Sequence, residues 1–238
     1  MIEIAICLAI MGFALVAIIG VLPLGMNTQR DNREATVINQ DATVLLEAVR
    51  SGARGADDLT NFVYAIANTG SGNPVGYLNP ALAAQMNFPG SNPSGASWYP
   101  YLTNGATIVG LLSTPEFLNH NSVSNHVVAY VRSMSGLASE KPPQDNAIMA
   151  GNTFGYRVYC VNAAVAYDTN SPLAGFSKQL NGNLHELRMT FLWPQLPNGK
   201  VGAGRQTFRT SIAGQLSYQP TNGLDLYYYQ SQFFTNAP

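Results

Sequence analysis

The sequence predicts an α+β fold in which a long N-terminal helix packs on a head built around an antiparallel β-sheet. Two observations predict it. The residues from Ile4 to Met26 form an apolar run without a charged side chain. From Thr107 onward the polarity alternates with the period of two that is typical of strands. We expect the helix to occupy residues 1–54 and the globular head residues 55–238.

The composition favours a protein whose surface is polar but carries little charge. Only 11% of the 238 residues are charged, less than half of the roughly 25% found in typical soluble domains. Such a surface suits secreted and cell-surface proteins, whose copies pack closely without mutual repulsion. The formal net charge is −1 and Lys and Arg total 12, so we expect no nucleic-acid binding, which needs clustered basic side chains.

The apolar run from Ile4 to Met26 has the length of a membrane span. As a helix it would be about 34 Å long, and the hydrocarbon core of a bilayer is about 30 Å thick. A secretory signal peptide is the alternative, but it would begin with basic residues and end at a small-residue cleavage site. The only charge ahead of this run is acidic, Glu3. We therefore expect residues 1–26 to form a membrane-type helix.

Glu3 is the most informative residue of the sequence. A carboxylate at the edge of a membrane helix costs about 2–3 kcal/mol unless it has a partner. The nearest cation is the α-amino group of Met1, either its own or that of a neighbouring subunit. The macrodipole also favours an acid at a helix N-terminus, so simple capping explains Glu3 equally well.

The second part of the helix, residues 27–54, is predicted to be amphipathic. Its apolar residues recur on one helical face, where they suit packing against a head. Those residues are Ile38, Ala42, Leu45 and Val49, with Asn39, Gln40, Asp41, Glu47 and Arg50 placed mainly off that face.

Three helix-weakening residues, Gly20, Pro23 and Gly25, stand near the junction of the two parts. Proline lacks a backbone donor, and its ring clashes with the carbonyl four residues earlier, here that of Ile19. We therefore expect a kink or local melting of the helix at this point.

The chain resembles, in its opening residues MIEIAICLAIMGFALVAIIGVLPLG, the type IV pilin and type II secretion pseudopilin superfamily. Mature subunits of that family begin with a short apolar stretch, a glutamate and an apolar helix, and the helix packs on a sheet in an α/β-roll. The resemblance implies that Glu3 is the assembly glutamate and that Met1 is the mature, N-methylated N-terminus. It also implies that Pro23 lies in a segment that unwinds in the filament. The glutamate is third here and usually fifth in the family. The family's basic leader ending in glycine is also absent from this sequence, so we expect this to be the processed chain.

The resemblance implies a structural protein, the subunit of an extracellular type IV pilus-like filament. Its assembly site would comprise Met1, Glu3, Gly20, Pro23 and Gly25. Its partners would be other copies of itself in a helical homopolymer, the membrane before assembly, and the pilus assembly machinery. We expect it in the inner membrane first and at the cell surface afterwards, without a cofactor and without enzymatic activity. The alternatives are a minor pseudopilin of a type II secretion system and a monomeric membrane-anchored adhesin that grips a ligand with the loop Asn73–Pro100.

The head is predicted from local patterns. Asp58 is expected to cap a short helix, Leu59–Ala67, and a loop rich in Asn, Pro, Gly and Ser follows over Asn73–Pro100. The aromatic residues of that loop are interpreted as packing anchors rather than a ligand site, namely Tyr77, Phe88, Trp98 and Tyr99. The predicted strands are Thr107–Leu112, His126–Met134, Phe154–Tyr167, Leu184–Trp193 and Gln206–Leu216.

The last third of the chain carries the clearest strand pattern. Apolar and polar residues alternate strictly over Leu184–Trp193, as in a half-buried strand. Asn198-Gly199 is a favoured hairpin turn. The aromatic tail is expected to dock either on its own head or on a neighbouring subunit, and it contains Tyr227, Tyr228, Tyr229, Phe233 and Phe234.

No pattern in the sequence predicts catalysis or a metal site. His120 and His126 lack the spacing of a zinc pair, and His185 fits the alternation of a strand, which favours a structural role. The fragment Gly202–Gly204 is interpreted as a flexible loop. Cys7 lies in the apolar run and Cys160 in a distant strand, so we expect no disulfide between them.

Overall fold

The computed structural model describes residues 2–52, 54, 56–69, 75–83, 97–117, 124–135, 155–166, 174–196 and 200–234. The chain divides into two compact units, Met1–Asn39 and Gln40–Pro238. The first unit is helical. The second is an α+β head that contains all the strands of the described residues.

One helix, α1, runs from Ile2 to Arg50 and belongs to both units. It continues without a break through Pro23, so the local melting expected there is absent from this structure. A long helix tolerates the loss of one backbone hydrogen bond because the turns on both sides maintain it. It ends four residues earlier than the predicted boundary. Gly52 follows with φ of +67°, a left-handed conformation that glycine adopts without strain and that commonly ends helices.

The head is built on a main sheet in which seven strands lie in the order β3-β2-β1-β4-β5-β6-β7. All neighbours in the described sheet are antiparallel except β2 and β3, which are parallel. The strands are β1 (Val63–Asn68), β2 (Val75–Leu78), β3 (Ser97–Tyr99), β4 (Val127–Arg132), β5 (Gly155–Ala164), β6 (Leu184–Gln195) and β7 (Val201–Ala213).

Short helices and a hairpin complete the head. The helices are α2 (Pro80–Ala83), α3 (Gly105–Leu112) and α4 (Ala174–Asn183), and a 3-10 turn covers Asp57–Asn61. The strands β8 (Gln215–Tyr218) and β9 (Tyr227–Gln230) pair antiparallel with each other in a separate sheet.

The sequence-based prediction of a helix over Leu59–Ala67 is wrong. The 3-10 turn occupies the start of this segment, and β1 begins at Val63. Five of the six residues of β1 are buried, because both faces of this central strand are covered. A strand buried on both faces is a continuous apolar run, and periodicity cannot distinguish it from a buried helix.

The opposite error occurs at Thr107–Leu112, which was predicted as a strand and is part of α3. Asn104 precedes this helix, and its side chain accepts a hydrogen bond of 2.7 Å from the backbone nitrogen of Thr107. This is the N-cap geometry that satisfies a free donor of the first turn. Nearly all of α3 is buried, so its apolar residues show no helical stripe in the sequence.

The other predicted strands are confirmed as β4, β5, β6 and β7. The last begins earlier than predicted, at Val201, and ends at Ala213, because Gly214 with φ of +127° separates it from β8. Gly202–Gly204 therefore lies within the first part of β7, after Val201, and is not a flexible loop. A side chain at Gly204 would collide with the indole ring of Trp193 on β6, which explains the glycine there. The predicted turn Asn198-Gly199 lies outside the described residues.

The part of α1 within the head covers the inner face of the main sheet. Ala42, Leu45 and Val49 are fully buried, and Asp41 contacts Tyr156 on β5. On the outer face a second apolar cluster covers β1, β2 and β4, with Tyr64, Ala65, Ala67, Leu82, Val128 and Tyr130 at its centre. The fold is therefore a helix packed on a mostly antiparallel sheet.

Candidate assembly site

The first half of α1 exposes a continuous apolar surface. Large side chains such as Ile2, Phe13 and Val16 are 78%, 80% and 71% exposed, and the described side chains between Ile2 and Met26 are all exposed. By length and composition alone, α1 is long and apolar enough to cross a membrane, a test that a signal sequence near an N-terminus also passes.

Glu3 lies in the first turn of α1 and is exposed. It is the only charged residue between Ile2 and Gln29. It forms no ion pair within the described residues, so the negative charge is compensated there only by the helix dipole. The proposed cation, the α-amino group of Met1, lies outside the described residues.

Gly20, Pro23 and Gly25 lie on the exposed helix that carries Glu3. A side chain added at Gly20 or Gly25 would meet no atom within 4 Å. Packing within a single copy of the chain therefore does not require either glycine, although glycine costs a helix about 1 kcal/mol relative to alanine. The structure places the three residues near one another on the helix but gives them no contact with Glu3, which lies more than four turns away.

Asp41 anchors α1 inside the head. Its carboxylate accepts hydrogen bonds of 2.9 Å from the backbone nitrogens of Met134 and Ser135, and one of 2.9 Å from the hydroxyl of Tyr156. The hydroxyl of Ser135 donates a further one. These partners lie on β5 and just after β4, so one side chain joins the helix to two central strands.

The chemistry of this anchor depends on burial. Asp41 has no exposed surface, and desolvation raises its pKa while the hydrogen bonds from Ser135, Met134 and Tyr156 oppose the rise. Burial also raises the pKa of Tyr156 well above its usual value, and the neighbouring carboxylate adds to this rise. The prediction that Asp41 lies off the apolar face is wrong, because Asp41 is three residues after Ile38 and four before Leu45, a spacing that belongs to the same face.

The aromatic tail docks on its own head in its first part. The hydroxyl of Tyr229 donates to the side chain of Asn162 at 2.5 Å, and the hydroxyl of Tyr228 donates to the carbonyl of Ala106 at 3.0 Å. Phe233 and Phe234 remain 62% and 58% exposed. The structure thus assigns β9 to the head and leaves the two phenylalanines as surface residues.

The prediction of Asn73–Pro100 as a loop is wrong where the structure describes it, because β2, α2 and β3 lie within it. The aromatic residues described there differ in role. Trp98 packs edge-on against Tyr130 and lies over Gly76, where a side chain would collide with its ring, so its prediction as a packing anchor is confirmed. Tyr99 stacks on Tyr101 at the surface and is 43% exposed. Phe88 lies outside the described residues.

The described residues bring together no group of three potential metal ligands. His185 is buried beside the ring of Tyr229, and His126 is exposed, while His120 lies outside the described residues. Both cysteines are free. A cavity of about 580 Å³ near Arg54, Ala106 and Gln219 contains no carboxylate or histidine among its lining residues, so it offers no acid–base pair.

Comparisons of this chain with protein-family models, with curated proteins and with solved structures give no match.

Proposed function

We propose that this chain is a structural subunit of an extracellular type IV pilus-like filament, which polymerises through the apolar half of α1. The observation that carries the proposal is the exposed apolar surface between Ile2 and Met26, in which Glu3 is the single charge. Monomeric soluble proteins rarely expose contiguous apolar patches larger than a few hundred Å². Such a helix requires either lipid or other copies of itself around it.

The free energy of Glu3 differs between lipid and a filament more than that of the apolar side chains does, which explains why this single acid matters. Apolar side chains gain little when they move from lipid into a bundle of identical helices, because both surroundings are apolar. Glu3 does gain, since its charge costs about 2–3 kcal/mol in lipid and is neutralised by an amino group of a neighbouring copy. Outside the membrane, each apolar side chain returned to water would cost about 1.5–3 kcal/mol, which opposes disassembly.

The head supports the same proposal. A helix whose second half packs on an antiparallel sheet is the architecture that the resemblance to pilins implies, and here it would be an α/β-roll. Asp41 fixes the helix to the sheet through four hydrogen bonds. In a filament, this anchor would transmit force from the helical core to the heads.

The test is the Glu3→Ala variant, with Glu47→Ala as its matched control. Glu47 is an exposed acid of the same helix, and its only described ion pair is a 4.0 Å contact with Arg50. We expect Glu3→Ala to accumulate in the membrane with a folded head but to yield few or no filaments in sheared surface material seen by electron microscopy. Glu47→Ala should assemble normally. Abundant normal filaments from Glu3→Ala would refute the assembly role.

The same material distinguishes the alternatives. A minor pseudopilin would form no long homopolymer even in the unaltered protein. A membrane-anchored adhesin would bind its ligand as a purified head without residues 1–29, whereas the head of a filament subunit should be soluble and inert.

A further inference from the structure

The β8–β9 hairpin holds two tyrosine rings side by side. Tyr218 and Tyr227 are direct cross-strand partners, and such partners share a face of their sheet. Their ring centroids are 5.2 Å apart, with 40° between the ring planes. The connecting turn, Asn222-Gly223, has φ of 52° and 79°, the conformation of a two-residue turn that fixes the register of a hairpin. The register therefore keeps the two rings in contact.

A carboxylate lies beside the more exposed of the two rings. The hydroxyl of Tyr218 donates a hydrogen bond of 2.5 Å to the side chain of Asp225, the length of a charge-assisted bond between a hydroxyl and a carboxylate. Asp225 forms no ion pair in the part of the chain that the structure describes. Its carboxylate is therefore available to take a proton from Tyr218.

Both phenols keep their protons at neutral pH. The hydrogen bond to Asp225 raises the pKa of Tyr218, and burial raises the pKa of Tyr227 to about 12, with smaller contributions from Asp225 and Tyr218. A protonated phenol loses an electron readily only when its proton leaves at the same time, so oxidation depends on a proton acceptor within hydrogen-bond distance. Tyr218 has that acceptor and is 53% exposed, so an oxidant in solution can reach it.

We propose that Tyr218 and Tyr227 form an oxidative cross-link, in which a carbon–carbon bond joins the two rings beside their hydroxyl groups and closes the hairpin covalently. A one-electron oxidant, a haem peroxidase supplied with hydrogen peroxide, removes one electron from each phenol. The phenolic proton of Tyr218 passes to Asp225, and that of Tyr227 passes to water. The two radicals then couple, and the hydrogen displaced from each ring carbon moves to the phenolic oxygen of the same ring. The peroxide takes up the two electrons and two protons and becomes water.

A second pair of exposed tyrosines lacks this arrangement. Tyr99 and Tyr101 are 43% and 40% exposed, and their ring centroids are 5.8 Å apart. Their planes are nearly parallel, at 8°, so these rings stack by their faces, whereas the coupling joins ring edges. Neither hydroxyl donates a hydrogen bond to a carboxylate among the described residues. We therefore expect Tyr99 and Tyr101 to remain separate under the conditions that couple the hairpin pair.

The cross-link fastens the C-terminal part of the head. The strand β9 also carries Tyr228 and Tyr229, whose hydroxyls donate to Ala106 and Asn162. A covalent bond between β8 and β9 keeps the two strands together even when those contacts open, because it removes conformational freedom from the open state. Both rings belong to one copy of the chain, so this inference does not depend on the proposed filament.

The experiment treats the purified full chain in detergent with a haem peroxidase and hydrogen peroxide, and follows dityrosine fluorescence and peptide masses. Proteolytic cleavage on the N-terminal side of Asp225 separates the two tyrosines, so the cross-link appears as two peptides that stay joined and have lost two hydrogen atoms. We expect this product from a chain that remains monomeric on a denaturing gel. Tyr218→Phe and Tyr227→Phe each keep the ring and should abolish the product. The matched control, Tyr99→Phe, should retain the full yield.

The variant Asp225→Asn tests the proton acceptor. Asparagine keeps the size of the side chain and can still accept a hydrogen bond, but its amide does not take up the phenolic proton. The initial rate of cross-linking should therefore fall severalfold, while the circular dichroism of the protein stays unchanged. An unchanged rate in Asp225→Asn, or an undiminished yield in either phenylalanine variant of the hairpin, would overturn the proposal. Covalent dimers as the main product would overturn it in favour of coupling between copies.

Discussion

The hydroxyl of Tyr156 donates a hydrogen bond of 2.9 Å to the carboxylate of Asp41, and both side chains are fully buried. The bond joins the N-terminal end of β5 to α1. Apolar contacts hold helices on sheets without fixing their register, because packing tolerates small shifts. A buried carboxylate with several donors fixes it, since any shift of the helix would leave those donors without a partner.

We predict that Asp41→Ala destabilises the head by about 2–4 kcal/mol, because it leaves the buried backbone nitrogen of Met134 and the half-buried one of Ser135 without an acceptor. Tyr156→Phe removes one donor and should cost about 1–2 kcal/mol. Denaturant unfolding of the full chain in detergent measures both. Asp58→Ala, an exposed acid of the 3-10 turn, is the control and should change the free energy of unfolding by less than about 0.5 kcal/mol. Equal stability of Asp41→Ala and Asp58→Ala would contradict the anchoring role.

The sequence predicts the long helix and the C-terminal strands because their patterns are strong. No other segment matches the charge-free run from Ile4 to Met26, and β6 alternates strictly between buried and half-exposed positions. Segments buried on both sides carry no such contrast. This is why β1 was predicted as a helix and α3 as a strand.

The residues that act together in the head were harder to predict for a different reason. Five arginines on the outer face of the main sheet come from four strands, and only the register of those strands shows that they share a surface. They are Arg132, Arg157, Arg188, Arg205 and Arg209. Asp41 and Tyr156 are likewise 115 positions apart. By contrast, Glu3 is conspicuous in the sequence because its signal is local, a single acid at the head of an apolar helix.

We predict that Gly105→Ala destabilises the head although alanine favours helices. A side chain at Gly105, the first residue of α3, would collide with the backbone carbonyl of Ala56, which cannot move as a side chain can. Overpacking of this kind costs about 1–3 kcal/mol, or a decrease in melting temperature of roughly 3–10 °C for a head of this size. Gly175→Ala is the matched control in α4, where an added side chain would meet nothing within 4 Å, and it should be neutral or stabilising. A stabilised Gly105→Ala variant would show that α3 does not lie this close to the turn.

We predict that His185 makes the head less stable below neutral pH. Burial lowers the pKa of His185 below 6.5, against a smaller opposing effect of the Gly182 backbone. The unfolded state therefore binds more protons between the folded pKa and 6.5, and this contribution to stability is lost as the pH falls through that window. Asp41 acts in the opposite sense. Its pKa is raised in the folded head, so its contribution to the free energy of unfolding decreases as the pH rises above 3.8.

Denaturant unfolding of the wild type and of His185→Phe from pH 5 to 8 isolates the contribution of His185 to the pH dependence of stability. The phenylalanine keeps a ring beside Tyr229 but cannot titrate, so the stability of the variant should vary less with pH. The control is His126→Gln, which removes a histidine that is exposed on the surface of the head. Parallel profiles for wild type and His185→Phe would contradict the assignment.

We predict that Cys160 reacts with thiol reagents only when the head unfolds. Its sulfur donates a hydrogen bond of 3.0 Å to the carbonyl of Leu112, and burial raises the pKa of the thiol to about 12. At pH 8 only about one molecule in ten thousand would carry the reactive thiolate, and that thiolate would still be inaccessible.

Iodoacetamide labelling of the Cys7→Ser variant, in which Cys160 is the only thiol, tests this by mass spectrometry. The native protein should remain unlabelled over the time in which free cysteine reacts completely, and denaturant should allow full labelling. Rapid labelling of the native protein would show that β5 separates from α3 without global unfolding. The Asp41→Ala variant in the same background should label faster than its parent, because the loss of the anchor increases the population of the open head in which Cys160 is accessible.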